Sequence, residues 1–322
     1  MENRFILGID TSNYKTSIAV TDKQLNIICD LRRFLRVKQG ERGLRQSDAL
    51  FQHIKNLPEL IEEMGISGSC RFEAIAYSSK PRPAEGSYMP VFLAGESFAR
   101  SLASVMGIPA LAFSHQEGHI EAIKSFSGLR SRKQILACHF SGGTSELLKA
   151  ADNSRGYDIE IIGGSRDIAF GQVIDRAGVL MGMSFPSGEE MDKAAMNAAA
   201  SSKLLTPIKV RDAWLNLSGT DTQMKRIISD GMYEDRECLI RELFEKTADA
   251  MVRMAAQGSE KTGIRDIIMA GGVTSSSFIR RRVSDALNAM NINAEFDDRG
   301  LAQDNAVGIA ILGGRRIWQQ NL

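Results

Sequence analysis

The alternation of apolar and polar segments predicts the same strand–turn–strand pattern twice along the chain. Residues 5–10 are an apolar run typical of a buried strand, residues 11–15 are polar, and residues 16–20 predict a second strand. The pattern returns at residues 135–140, 141–145 and 146–149, with glycines between the two predicted strands. The sequence therefore predicts a fold that starts twice, each time with a β-hairpin.

Segments with helical periodicity follow each predicted hairpin. Five of them carry apolar residues at helical spacing: residues 47–64, 91–106, 168–181, 189–200 and 235–257. Short strands are predicted at residues 110–113 and 266–270, and a further helix from about Ser275. Strands that alternate with helices indicate an α/β fold, and the repeated hairpin indicates two duplicated lobes, which we place at residues 1–134 and 135–322.

Composition limits the possible partners. The chain has 322 residues, a formal net charge of +1 and a pI near 7.7, so no strong overall field attracts it to nucleic acid or to a membrane. No apolar run approaches the roughly 20 residues of a membrane span, and no charged leader precedes a long apolar stretch. The four cysteines lie far apart in the sequence and form no C-x-x-C pair. This pattern fits reduced thiols better than a disulfide framework or a structural zinc site. We therefore expect a cytoplasmic protein with no membrane partner.

Two of the four histidines, His115 and His119, lie four residues apart. On a helix this spacing places both imidazoles on one face, where they can bind zinc or iron if a third ligand comes from elsewhere in the fold. The alternative is a helix that carries two histidines and no metal. The zinc-protease motif HExxH has the same spacing, but Glu117 would lie roughly 200° around the helix from His115. A protease is therefore excluded.

Three turns rich in glycine or hydroxyl side chains follow predicted strands, at residues 10–17, 141–145 and 270–276. Such turns expose backbone N–H groups that can bind phosphate oxygens. One such turn is usually only a tight turn, but three at corresponding places indicate a nucleotide held in a cleft between the lobes. Neither the P-loop pattern nor a G-x-G-x-x-G after the first strand is present, which argues against P-loop and Rossmann folds.

Seven segments of the chain resemble, in the same order, the motifs of the TsaD family: residues 8–12 (GIDTS), 115–119 (HQEGH), 141–144 (SGGT), 171–175 (GQVID), 185–188 (FPSG), 270–273 (AGGV) and 303–306 (QDNA). That family comprises tRNA threonylcarbamoyladenosine transferases on the two-lobed actin/Hsp70/sugar-kinase fold. The resemblance extends from about residue 5 to about residue 315. It implies this fold, with a nucleotide and metal cleft between the lobes.

The resemblance also implies which residues form the site. His115, His119 and Asp304 match the ligands of one divalent metal, iron or zinc, and Asp10, Ser141, Gly142 and Gly143 are assigned catalytic roles. An adenine nucleotide, as threonylcarbamoyl-AMP, AMP or ATP, is expected to contact these positions: Ser12, Asn13, Lys15, Ser141, Gly142, Gly143, Thr144, Asp175, Gly188, Asp192, Gly271, Gly272 and Ser276.

Four residues depart from the family pattern. Tyr14 and Lys15 stand where the first turn of the family has an acidic pair, so the local charge is inverted. Thr144 replaces a histidine in the second turn, and Ser276 replaces an asparagine that reaches the substrate in the family. These differences indicate either a diverged member or a paralogue with a different substrate.

The function implied by the resemblance is transfer of a threonylcarbamoyl group from threonylcarbamoyl-AMP to N6 of adenosine 37 in tRNA. Companion proteins are implied as well: an adenylate-forming enzyme, a dimerising relative and an ATPase. Phosphoryl transfer with Asp10 and Mg²⁺ is one alternative, which the two histidines disfavour because Mg²⁺ prefers oxygen ligands. The other is a nucleotide- and metal-binding paralogue that acts as a scaffold or regulator, or as a carbamoyltransferase with a different acceptor.

Overall fold

Two β-sheets with helices packed on them organise the chain in a computed structural model, which describes residues 3–12, 14–36, 44–65, 70–297, 299–301 and 305–318. The chain divides into two compact units. Unit 1 comprises Met1–Phe126, Asp152–Asp158 and Arg299–Leu322, and unit 2 comprises Ser127–Ala151 and Ile159–Asp298. This division differs from the predicted lobes 1–134 and 135–322 in three segments: residues 127–134 belong to unit 2, and Asp152–Asp158 and Arg299–Leu322 belong to unit 1.

The elements of the described residues are, in chain order, β1 (Asn3–Asp10), β2 (Lys15–Asp22), β3 (Ile27–Phe34), α1 (Gln46–Met64), β4 (Cys70–Lys80), α2 (Phe92–Met106), β5 (Ala110–Ser114), α3 (His115–Lys124), β6 (Gln134–Phe140), β7 (Ser145–Asn153), β8 (Gly156–Ser165), α4 (Phe170–Leu180), α5 (Gly188–Asn197), β9 (Val210–Arg211), β10 (Trp214–Leu215), α6 (Ser218–Ser229), α7 (Arg236–Thr262), β11 (Asp266–Ala270), a 3-10 helix (Gly272–Ser275), α8 (Ser277–Ala289), β12 (Asn293–Phe296) and α9 (Val307–Trp318).

In unit 1 the strands form a sheet in the order β3-β2-β1-β4-β5. The predicted hairpin of β1 and β2 is antiparallel, whereas β1, β4 and β5 run parallel. Phe5, Leu7 and Ile9 alternate along β1 and belong to one core cluster with apolar residues of α1 and α2, because side chains two residues apart share a face of a strand. The parallel direction brings the ends of β1 and β5, at Asp10 and Ser114, to the same edge of the sheet.

The C-terminal helix α9 belongs to unit 1 because it packs on β1, β4 and α3. A Cβ atom added at Gly308 would lie 1.8 Å from the carbonyl oxygen of Gly118, so α3 and α9 approach each other backbone to backbone. This helix was not among those predicted from the sequence, and the pattern of apolar residues does not indicate which sheet covers it.

In unit 2 the sheet has the order β12-β11-β6-β7-β8-β10-β9. The hairpin of β6 and β7 is antiparallel, and β11 lies parallel to both β6 and β12. The segment β8-β7-β6-β11-β12 therefore repeats the arrangement β3-β2-β1-β4-β5 of unit 1, which confirms the predicted duplication. Phe140 and Phe170 pack edge to face in the core of this unit, with ring centroids 5.4 Å apart.

Several boundaries differ from the sequence-based expectation. The helix predicted from about Ser275 begins at Ser277, after a short 3-10 helix at Gly272–Ser275. The strands β3, β8, β9, β10 and β12 and the helices α6 and α9 were not predicted. In the part of the chain that the structure describes, we find no helix both long enough and apolar enough to traverse a lipid bilayer.

Candidate metal and nucleotide-binding sites

Helix α3 begins at His115 because a capping box fixes its first turn. The Oγ of Ser114 accepts a hydrogen bond from the backbone N–H of Glu117 at 3.2 Å, and the Glu117 carboxylate accepts one from the N–H of Ser114 at 2.7 Å. Glu117 is thereby held at the helix start, away from the face that carries the two histidines. This agrees with the exclusion of a zinc-protease arrangement.

The side chains of His115 and His119 converge as their spacing predicts. Their Nε2 atoms are 2.9 Å apart, and the two rings meet nearly edge to face. Two nitrogens bound to one zinc ion at about 2.0–2.1 Å in tetrahedral geometry would be about 3.3 Å apart, so the pair needs only a small shift to bind a metal. The observed separation therefore fits a metal-binding pair.

Asp10, at the end of β1, contacts this pair from the other side of the His115 ring. Its Oδ2 lies 2.7 Å from His115 Nδ1, while its Oδ1 accepts a hydrogen bond from the backbone N–H of Ser12 at 2.9 Å. The carboxylate is 1% exposed. A carboxylate at Nδ1 favours the tautomer that keeps the proton on Nδ1 and leaves the Nε2 lone pair for a metal.

The third predicted ligand, Asp304, lies outside the described residues, as does Asn13 of the first turn. Within the described ranges, no three His, Cys, Asp or Glu side chains are grouped so that they could hold a metal ion. The complete ligand set therefore stays a prediction.

The opposite side of α3 is anchored by a buried polar network that the sequence did not reveal. Glu121 accepts a hydrogen bond from the Tyr157 hydroxyl at 2.5 Å and forms an ion pair with Arg315 of α9. Lys124 donates to both carboxylate oxygens of Asp152 at 2.8 Å. Burial, reinforced by the charge of Glu121, raises the pKa of Tyr157. The spacing of residues 117, 121 and 124 was the available signal, because it places three polar side chains on one helical face.

The first turn is built into the same unit by buried polar contacts. Thr11 donates its hydroxyl to the carbonyl of Val91 at 3.0 Å and accepts a bond from the N–H of Gly95 at 3.1 Å, which attaches the turn to the start of α2. The Lys15 side chain is 5% exposed, and its ammonium lies 4.5 Å from the centroid of the Phe34 ring.

His53 is a further buried residue beside the first turn, and sequence analysis did not identify it. It is fully buried, and its Nδ1 lies 2.9 Å from the Thr16 hydroxyl, which also accepts a hydrogen bond from Asn56 at 3.0 Å. Burial lowers the pKa of His53 to about 4. The imidazole is therefore neutral at physiological pH.

In unit 2 the turn after β6 has a fixed backbone. The N–H of Ser141 donates to the Thr144 carbonyl at 2.8 Å, and the Ser141 hydroxyl accepts bonds from the N–H groups of Gly143 at 3.3 Å and Thr144 at 3.0 Å. Cβ atoms added at Gly142 and Gly143 would have no described atom within 4 Å. This open side can admit a ligand close to the backbone.

The N-terminus of α4 lies against this turn. The N–H of Gly171 donates to the Ser141 carbonyl at 3.3 Å, and that of Phe170 donates to the Ser145 hydroxyl at 2.9 Å. A Cβ at Gly171 would lie 2.7 Å from the Cα of Gly142. The positive end of the α4 dipole is thus next to the turn, where an anion is favoured.

Asp175 and Gly188 are also brought together. One oxygen of the Asp175 carboxylate accepts a hydrogen bond from the N–H of Ser187 at 2.8 Å, immediately before α5 begins at Gly188. Burial raises the pKa of Asp175, while the N–H groups of Ser187 and Gly188 oppose this effect. The contact of this pair with a nucleotide stays a prediction.

Asp192 and Ser276 contact each other directly. The Asp192 carboxylate accepts hydrogen bonds from the Ser276 hydroxyl at 2.5 Å and from the backbone N–H groups of Ser277 at 2.9 Å and Phe278 at 3.1 Å. Both side chains therefore stabilise the start of α8. Their predicted contacts with substrate remain predictions.

Gly271 follows β11 in a conformation that only glycine adopts readily. Its φ is +96°, and an added Cβ would lie 2.3 Å from the carbonyl oxygen of Phe140. At Gly272 an added Cβ would have no described atom within 4 Å. Gly271 is therefore required by the close approach of β6, and Gly272 leaves the end of the turn open.

Comparison with known proteins decides the family. The family model described as "TsaD: tRNA N6-adenosine threonylcarbamoyltransferase" matches residues 38–311, which is most of the chain. The chain belongs to the TsaD family. Curated TsaD relatives include a tRNA N6-adenosine threonylcarbamoyltransferase of Thermus thermophilus, 26% identical over 97% of this chain and 93% of the relative. The Neorickettsia sennetsu protein of the same name is 27% identical over 96% of this chain and 93% of the relative.

Solved structures show the fold alone, because their sequence identity to this TsaD-family chain is low. Full-length HypF in its phosphate- and nucleotide-bound form has a TM-score of 0.63 at 12% identity, over 97% of this chain and 46% of HypF. Component A of Acidaminococcus fermentans (R)-2-hydroxyglutaryl-CoA dehydratase has a TM-score of 0.56 at 12% identity, over 95% and 96% of the two chains. A ROK family glucokinase from Streptomyces griseus has a TM-score of 0.52 at 11% identity, over 96% and 98%. The predicted actin/Hsp70/sugar-kinase class is confirmed.

Proposed function

We propose that this TsaD-family chain transfers a threonylcarbamoyl group from threonylcarbamoyl-AMP to N6 of adenosine 37 in tRNA. The observation that carries the proposal is the convergence of Asp10, His115 and His119 at one edge of the unit 1 sheet, in a chain whose family model is that of this transferase. Because tRNA is the acceptor, we expect the reaction in the cytoplasm.

His115 and His119 would hold one divalent metal, iron or zinc, with Asp304 as the third ligand. When bound, such a metal supplies a Lewis acid that polarises an oxygen of the transferred group. Asp10 supports the histidine pair without being a ligand, because its hydrogen bond to Nδ1 fixes the orientation and tautomer of His115. The Ser12 N–H in turn holds the Asp10 carboxylate in place.

Unit 2 would hold the adenylate. Its open turn at Ser141, Gly142 and Gly143, next to the N-terminus of α4, offers N–H groups and a helix dipole to the phosphate. Asp175 and Gly188 are assigned to the nucleoside, and the turn at Gly271 and Gly272 covers it. Positioned dipoles of this kind stabilise negative charge that grows on the departing phosphate.

The proposed step is an acyl transfer that needs no redox partner. The N6 amine of adenosine 37 attacks the carbamoyl carbon and forms a new C–N bond. The bond from that carbon to the phosphate oxygen of AMP breaks, AMP leaves with the electron pair, and one amine proton passes to solvent. We expect the companion proteins of the family, an adenylate-forming enzyme, a dimerising relative and an ATPase, to supply the donor and support turnover.

A second candidate function rests on the inverted charge of the first turn. The family has carboxylates at the positions of Tyr14, which is 41% exposed, and Lys15. This change of charge would favour a different acyl-adenylate or a different acceptor. In that case the chain binds nucleotide and metal but transfers a carbamoyl group elsewhere, or acts as a scaffold.

The experiment that separates these functions uses threonylcarbamoyl-AMP with a labelled threonyl group and two tRNAs that differ only in adenosine or guanosine at position 37. With the companion proteins and iron or zinc present, label is expected in the adenosine-37 tRNA alone. Binding of the adenylate in calorimetry without label in either tRNA would support the second candidate, and equal label in both tRNAs would contradict N6 of adenosine 37 as the acceptor.

A further inference from the structure

A cavity of about 210 Å³ in unit 1 shares no residue with the candidate sites described above. It is lined by Asn153 to Gly156, in the turn between β7 and β8, and by Leu312, Arg315 and Arg316 of α9. Three of these lining residues are arginines, one from the turn and two from the helix. The three guanidinium groups differ in whether carboxylates compensate their positive charges.

Arg315 is matched by the network that anchors α3. It forms ion pairs with Glu121 and with Asp152, whose Oδ2 lies 3.4 Å away, and it donates to the Tyr157 hydroxyl at 3.2 Å. Asp152 is shared with Lys124. The negative charges of Glu121 and Asp152 thus compensate the positive charges of Arg315 and Lys124. Arg315 therefore lines the cavity without adding an uncompensated charge.

Arg155 and Arg316 are not matched. Among the described residues, neither side chain forms an ion pair, and the buried Nε of Arg316 has no hydrogen-bond partner. Arg316 donates one terminal N–H to the Arg155 carbonyl, and its guanidinium lies 4.5 Å from the centroid of the Phe113 ring. Burial lowers the pKa of Arg316; the charge of Glu117 opposes this effect and that of Arg155 adds to it. An anion in the cavity would reverse that destabilisation of the charged form.

The nearby carboxylate of Glu117 supplies part of the opposing charge, because it favours the charged form of Arg316, but among the described residues it forms no ion pair with either arginine. Glu117 accepts bonds from the backbone N–H and hydroxyl of Ser114 through one oxygen, and from the N–H of Tyr157 at 3.2 Å through the other. Besides Arg315, the described lining of the cavity thus contains two arginines without an ion pair, one exposed and one partly buried, and no acidic residue.

We propose that this arginine cavity binds a phosphate group, with Arg155 and Arg316 as its charged donors. The planar guanidinium forks match tetrahedral phosphate oxygens and stay charged at all working pH values. The volume is below the roughly 300 Å³ at which pockets for whole small molecules begin, so one phosphate or diphosphate fits better than a complete nucleotide. Free phosphate or diphosphate and a phosphodiester of RNA present the same chemistry, and the test separates these sources.

The first arm of the test is calorimetry with inorganic pyrophosphate, in the presence of a chelator that removes metal. Wild type is compared with Arg155→Gln and Arg316→Gln, and with Arg211→Gln as a control that changes an exposed arginine of unit 2. Because Arg155 is exposed in a turn, its variant keeps the fold, and the melting temperature of each variant verifies this. We expect each cavity variant to weaken binding at least tenfold and the control to have no effect.

The second arm is filter binding of tRNA over a range of salt concentrations. If the phosphate belongs to RNA, each cavity variant lowers the slope of log affinity against log salt by about one, while Arg211→Gln does not. A change in the pyrophosphate arm assigns the cavity to free anions, and a change in the tRNA arm alone assigns it to an RNA phosphodiester. Wild-type behaviour of both cavity variants in both arms would overturn the proposal. It would leave the proposed transferase function intact.

Discussion

The carboxylate of Asp10 lies 2.7 Å from Nδ1 of His115, although the two residues are 105 positions apart in the chain. The contact exists because β1 and β5 run in the same direction and end at the same edge of the sheet. Asp10 ends β1, and the capping box at Ser114 starts α3 directly after β5. The same geometry points the other nitrogen of His115 toward His119.

Asp10→Asn is expected to weaken metal binding by 10- to 100-fold, because the amide removes the charge that supports the His115 tautomer. The amide oxygen can still accept the N–H of Ser12, so the fold is kept. The measurement is a competition titration of zinc or iron against a chelator. Asp30→Asn, which removes a partly buried ion pair with Arg32, is the control and should bind metal as wild type does. Equal affinity of the Asp10 variant would show that its carboxylate does not support a metal ligand.

Lys15→Gln is expected to weaken AMP binding about tenfold if the Lys15 ammonium reaches the phosphate, since opposite charges a few ångströms apart gain on the order of a few kcal/mol before desolvation is subtracted. Calorimetry with AMP measures this effect, with Lys23→Gln, an exposed lysine of the same unit, as the control. An unchanged affinity would show that the ammonium, 4.5 Å from the Phe34 ring centroid, does not reach the phosphate.

His53 is expected to make stability depend on pH. Its pKa is about 4 in the folded protein and about 6.5 when unfolded, so the unfolded state binds the extra proton between these values. The contribution is fully present above pH 6.5 and is lost as pH falls toward 4. Urea unfolding of wild type and His53→Gln at pH 7 and pH 4.5 measures it. The stability of wild type relative to the variant should fall by about 2 kcal/mol; a difference independent of pH would mean that His53 titrates normally.

Two adjacent glycines offer a matched test of the turn after β11. Gly271→Ala forces a Cβ into a left-handed conformation and toward the Phe140 carbonyl, where 2.3 Å is available, so we expect a loss of about 2–4 kcal/mol in the free energy of unfolding. Gly272→Ala meets no described atom within 4 Å and should cost less than about 1 kcal/mol. Equal losses in urea unfolding would mean that the turn relaxes around the new side chain.

Local patterns in the sequence predicted local structure well. The hairpins at β1–β2 and β6–β7, the strand at Asp266–Ala270 and the histidine pair on one face of a helix all follow from spacing and alternation. In each of these cases the interacting residues are near one another in the chain, and hydrophobic periodicity specifies which side chains share a face.

Relationships between distant segments could not be read in this way. The periodicity of α9 does not indicate that Gly308 meets Gly118, and no spacing links Asp10 to His115. The pairing of Asp192 with Ser276 likewise depends on how α5 lies beside α8. Such contacts depend on strand order and close backbone approach, which a single sequence does not specify.

The most direct test of the central claim is the single-turnover rate at which adenosine 37 of an unmodified tRNA becomes threonylcarbamoylated, measured by mass spectrometry of the digested nucleosides. The reaction contains threonylcarbamoyl-AMP, iron or zinc, and the companion proteins. Wild type and Arg281→Gln, a change at an exposed position of α8, should form the modified nucleoside at the same rate, while His119→Ala should be at least a hundredfold slower. A wild-type protein that forms no modified adenosine 37, or a His119→Ala variant as fast as wild type, would contradict transfer at the Asp10–His115–His119 site.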